Sequence, residues 1–167
     1  MNIKKFCLAA CLCLLISFSI FSGLFLGFSD RAIAEDFDKQ VLTDMDFSGK
    51  NLKGSQFNKA VLRRTKFLKA NLNGVSLFGA DMSDADFSDA NLSFATLDTA
   101  RMDHTDLTNA NLEGAFAYGT AFRKVKIDGA DFTDVDLRDN VRQELCETAT
   151  GTNPITGRAT RESLECD

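Results

Sequence analysis

From Phe37 to Leu137 an apolar residue returns every five positions, without an insertion or deletion, through 21 consecutive repeats. The series opens Phe37, Leu42, Phe47, Leu52 and closes Phe122, Ile127, Phe132, Leu137; only Ala117 departs from large side chains. Two residues earlier, from Ser55 to Val135, every fifth position holds Ala, Ser, Thr or Val. A step of five fits neither common element. On a helix it turns by about 140° and scatters the apolar residues round the axis, and on a flat strand an odd step alternates faces. The backbone must therefore turn regularly. A turn of about a quarter circle per five residues points each large residue to a common axis, with the small residue beside it and three positions outward.

Four such repeats make a coil of 20 residues, and a second pattern has that spacing. Asn51, Asn71, Asn91 and Asn111, each just before a central apolar residue, lie 20 apart. Stacked amides of this kind are expected to bond up the coils as a ladder. Outward charges 20 apart oppose one another: Asp46 with Lys66, Asp106 with Lys126, Asp81 with Arg101, Asp103 with Arg123. Such exposed pairs contribute little each, but they fit coils stacked about 4.8 Å apart.

Strings such as Ala70-Asn71-Leu72-Asn73-Gly74, Ala85-Asp86-Phe87-Ser88-Asp89 and Ala110-Asn111-Leu112-Glu113-Gly114 resemble the repeat unit of the pentapeptide-repeat family, over residues 37 to 139. The resemblance implies an all-β fold, a right-handed quadrilateral β-helix of about five coils. The absence of proline before Pro154 agrees, because proline removes a ladder hydrogen bond. Both ends of such a solenoid need covering. Glu35, Gln40, Met45 and Lys50 occupy the small-residue position, so residues 35–50 are expected to form an irregular N-terminal cap, with the solenoid proper over 51–139.

After Leu137 the period vanishes, and residues 140–167 form a C-terminal cap that contains the only proline, Gly151 and Gly157. Gly151-Thr152-Asn153-Pro154 reads as a turn, and Thr160 as the N-cap of a short helix over 161–165. Gly151 to Pro154, Thr156-Gly157, Thr160-Arg161, Ser163-Leu164 and Cys166 also resemble the C-terminal signature of thylakoid-lumen pentapeptide-repeat proteins of cyanobacteria and plants. That resemblance implies a photosynthetic host and an address in the thylakoid lumen or the periplasm.

The N-terminus supports export. Lys4 and Lys5 precede an uncharged apolar run from Phe6 to Phe28, and Ala32-Ile33-Ala34 is a cleavage pattern, so residues 1–34 read as a signal peptide cut before Glu35. The run of 23 residues is also long enough for an uncleaved anchor, the one membrane contact expected. Cleavage removes three of the 19 basic residues and one of the 24 acidic ones, leaving a net charge of −7. That balance argues against nonspecific nucleic-acid binding, which needs clustered Lys and Arg. It also takes away Cys7, Cys11 and Cys13. The remaining pair, Cys146 and Cys166, is expected to form a disulfide in an oxidising space, the alternative being two buried thiols.

No catalytic set is legible. The single histidine, His104, lies at an outward corner between Asp103 and Asp106, with no nucleophile in register; no metal site or cofactor is expected. The departure from pattern is aromatic. Phe78, Phe94, Phe116 and Tyr118 fall at outward positions that are polar elsewhere, and counted modulo 20 they share one side. Either this is a patch for an unknown protein partner, or the small Ala117 lets Phe116 or Tyr118 turn inward. The expected function is a non-enzymatic interaction or scaffold protein. The family resemblance implies one alternative, an acidic rod that mimics duplex DNA and binds a type II topoisomerase; export and the mixed Asp and Lys columns oppose it. A third reading, an enzyme site in the cap loop from Thr152 to Thr160, lacks a base.

Overall fold

The structure, a computed structural model, describes residues 34–166. The targeting segment lies outside those residues except for Ala34. Seventeen parallel bridges join residues 20 apart, from Asp36 with Gln56 to Phe116 with Asp136, one on each side of every coil. The result is a four-sided parallel coil whose sides are too short to count as extended strands.

The five-residue period follows from where the backbone N–H groups go. In the repeat centred on Phe57, the Gln56 N–H reaches down to the Glu35 carbonyl at 2.9 Å, and the Phe57 and Lys59 N–H groups reach up to Ser76 and Phe78 at 2.7 and 2.8 Å. The Ala60 N–H closes the corner on the Phe57 carbonyl at 3.1 Å. That corner needs a positive φ at its third residue, as in a type II turn. Every such position from Lys39 to Asp134 has one, glycine or not.

The fifth N–H, two residues after the Asn/Asp position, is where the structure corrects the expected asparagine ladder. Only Asn71 donates to the Asn below it, through Nδ2 to Oδ1 of Asn51 at 3.0 Å. At Asn71, Asn91 and Asn111 the Oδ1 instead accepts the backbone N–H of Asn73, Ser93 and Glu113. Asp46, Asp86 and Asp106 do the same for Ser48, Ser88 and Thr108. The residue before the central one is an Asx cap for its own corner.

The axis is packed with the predicted apolar residues, from Leu52 to Phe132 almost without exposed surface. Phe47, Phe67 and Phe87 stack up one side at 5.3 and 4.7 Å, and Phe57 meets Phe67 edge to face across the axis at 6.0 Å. The small position is small because it faces the coil below: Thr65, Thr105 and Thr120 donate through Oγ1 to the carbonyls of Leu42, Met82 and Leu97. No described coil lies below Glu35, Gln40, Met45 and Lys50, which are exposed. Residues 36–50 are therefore as regular as the rest, not an irregular cap, and only their axis residues Phe37, Leu42 and Phe47 are half-buried.

At the other end α1 (Asp139–Thr148) lies over the last coil, burying Leu145. The short helix foreseen at 161–165 is α2 (Thr160–Ser163); Ala159, not Thr160, precedes its first turn, and the Thr160 hydroxyl is buried without a hydrogen-bond partner. Cys146 on α1 is bonded to Cys166.

Candidate functional site

The cap loop is built as a clasp. Asn153 is almost wholly buried, and its Nδ2 donates to the carbonyls of Asn109, Ala110 and Gly129 at 3.0, 3.3 and 2.9 Å. Its Oδ1 accepts the N–H groups of Ile155 and Thr156. Gly151 lies so close to Gly129 that a Cβ on it would come within 2.7 Å of the Gly129 nitrogen. Arg158 bonds the fully buried carboxylate of Asp131 at 3.1 Å, and Ser163 Oγ accepts the Phe132 N–H at 3.0 Å. Burial pushes the Asp131 carboxyl up, but hydrogen bonds from Thr133 and Thr156 with the Arg158 charge outweigh it and hold the group below the usual carboxylate range. The loop from Thr152 to Thr160 thus spends its polar groups on the last coils.

Of the opposed charges, Arg123 with Asp103 at 2.5 Å and Lys126 with Asp106 at 3.0 Å pair as expected. Asp81 pairs with Arg63 at 2.6 Å, not with Arg101. Asp103 is held below the usual range by its hydrogen bond with Arg123. His104 Nδ1 lies 3.7 Å from Asp84, both groups exposed at a corner. Among the described residues, no cluster of three or more His, Cys, Asp or Glu is placed to hold a metal ion.

The four aromatic residues do share one side. Phe116 sits mid-side in the column Gln56, Ser76, Thr96, Phe116, Asp136. Phe94 flanks it at one corner, and Phe78 and Tyr118 at the other, with Asp98 between them in the column. Exposures of 42% for Phe78, 60% for Phe94, 52% for Phe116 and 55% for Tyr118 show that none has turned inward. On the axis of the same coil as Ala117, which is buried, Phe122 and Phe132 meet edge to face at 6.4 Å. Phe94 occupies a left-handed backbone position, φ 58°, in a corner column that carries glycine at Gly54, Gly74 and Gly114. Its ring lies over Gly114, where a Cβ would come within 2.7 Å of it. The guanidinium of Arg138 lies 4.7 Å from the centroid of the Tyr118 ring.

Compared with known families, residues 41–79, 69–103 and 100–139 match pentapeptide repeats in eight copies. A crystal structure of a pentapeptide repeat protein from the Arabidopsis thaliana thylakoid lumen is similar at 46% identity and a TM-score of 0.77, covering 78% of this chain and 91% of that one. A pentapeptide repeat protein from Nostoc is similar at 30% identity and a TM-score of 0.54, covering 63% and 86%. The thylakoid lumenal 15 kDa protein 1 of Arabidopsis thaliana, a chloroplast protein, is 54% identical over 48 residues, 29% of this chain and 21% of that protein. The thylakoid lumenal protein TL20.3 of the same plant is 56% identical over 41 residues, 25% of this chain and 15% of that protein. These matches span about a fifth or less of either curated relative.

Proposed function

The chain belongs to the pentapeptide-repeat family, and from that premise we propose that it is an exported, non-enzymatic interaction protein of the thylakoid lumen that holds a protein partner on its aromatic side. Its relatives carry lumenal names, which supports the address. The partner surface rests on one observation. Four large aromatic side chains stand exposed together on a coil whose axis is already filled, so folding does not require them. Phe94 adds weight, because a bulky residue at positive φ costs backbone energy that a glycine would not.

The decisive experiment is capture from lumen extracts with the parent protein and with a Phe78→Ser, Tyr118→Ser double variant. We expect the variant to melt at the parental temperature and to lose the captured partner. Retained capture would remove the aromatic side from consideration. The DNA-mimic alternative predicts inhibition of a type II topoisomerase in a supercoiling assay, and on the present reading none occurs.

A further inference from the structure

The corner column that carries Phe78 and Tyr118 runs Asp38, Asn58, Phe78, Asp98, Tyr118, Arg138, one residue per coil. At the spacing of stacked coils the two rings are about 10 Å apart, with the Asp98 carboxylate midway. Asp98 is half-buried, yet among the described residues no side chain donates to it and no cation pairs with it. Four outward aspartates, Asp44, Asp81, Asp103 and Asp106, each have an Arg or Lys partner; Asp98 has none among the described residues but is the one that stands in a column between two exposed aromatic rings. The corner positions below and above Thr99, the residue after Asp98, are Gly79 and Gly119. The side chain of Thr99 lies over both glycines, with the Lys59 stem over Gly79 and the Arg138 guanidinium over Gly119, so this side of the site is bounded.

Arg138 reveals how the upper ring is turned. A guanidinium over the ring from the coil above puts one face of Tyr118 toward Arg138 and the other toward Asp98. A ring face next to a carboxylate attracts a cation twice, through the ring quadrupole and through the opposite charge. With Phe78 bounding the site from below and Thr99 beside it, the geometry is that of a seat for one positive charge that opens outward between two exposed rings.

We propose that this corner binds a lysine or arginine side chain of the partner, the cation resting on Asp98 between Phe78 and Tyr118. The inference rests on the aromatic side being the partner surface. It makes that partner a basic segment, consistent with the acidic balance of the chain after residue 34.

The test is an NMR titration of the isotope-labelled protein with tetralysine and with tetra-arginine, repeated on Asp98→Asn and on Asp84→Asn. The second variant removes the same charge from another corner. We expect shifts centred on Phe78, Asp98 and Tyr118, roughly tenfold weaker binding in Asp98→Asn and less than about twofold change in Asp84→Asn. Equal weakening in both, or shifts elsewhere, would mean attraction by net charge alone and would overturn the seat. Both substitutions are isosteric, so matching melting curves exclude misfolding as the cause. If capture of the partner is lost on Phe78→Ser, Tyr118→Ser but survives Asp98→Asn, the partner surface stands and the cation seat falls.

Discussion

Thirteen non-glycine residues of the coil hold the positive φ of its corners, among them Lys39, Asp44, Phe94, Thr99 and Asn109. A β-branched residue fits this region worst, since its Cβ substituents crowd the following carbonyl. Thr99 is thus the least suited of the set, and its N–H bond to Tyr118, at 3.4 Å, is long for the coil. We expect Thr99→Gly to stabilise the protein by about 1 kcal/mol, read as a rise in melting temperature. No rise would mean that the threonine side chain returns in packing what the backbone loses. The central residues were plain in the sequence because burial at the axis accepts only apolar side chains. The corner conformation was not, because exposed residues of every type occupy it. At the Asn positions a spacing of 20 looks like stacking, but only Asn71 bonds to the Asn below it, and the recurrent bond runs two residues along the same chain.

At the scale of elements, the coil was legible from its period, and the cap only in part. Helix α1 begins directly after the last repeat, and its own period of four is only two turns long. The spacing Val141, Leu145, Ala149 was available as a helical signal, four residues apart on one face. Two elements of 10 and four residues have little core of their own, so their hold on the coil depends on Leu145, on Asn153 and on the Cys146–Cys166 bond. The bond closes a loop across a sequence separation of 20. We expect Cys166→Ser to cost about 3 kcal/mol, and reductant to lower the melting temperature of the parent by a similar amount while leaving the variant unmoved. A parent indifferent to reductant, with two titratable thiols, would favour the reduced pair.

The candidate site is a property of the whole coil. No two of its aromatic residues are neighbours in one repeat except Phe116 and Tyr118; winding brings Phe78 and Phe94 to them across 38 and 22 positions of chain. The sequence located this side because the winding number is an integer multiple of the repeat. It did not show whether the rings stand out or fold in, since a small residue at Ala117 left both arrangements open until the packing of the axis was known.

The Asn153 clasp sets a rule for how such a chain can change length. It grips three carbonyls on one corner, those of Asn109, Ala110 and Gly129. Adding a single repeat of five residues between Leu112 and Phe116 would leave every local bond of the coil possible, yet carry Gly129 a quarter turn away from the corner of Asn109 and Ala110, so that Asn153 cannot reach all three carbonyls, and split the aromatic side in two. Adding 20 restores both, the added coil presenting its own corner carbonyls in place of those of Asn109 and Ala110. We expect a five-residue insertion to lower the melting temperature and a 20-residue insertion to leave it near the parent's, so that growth by duplication is quantised in whole coils.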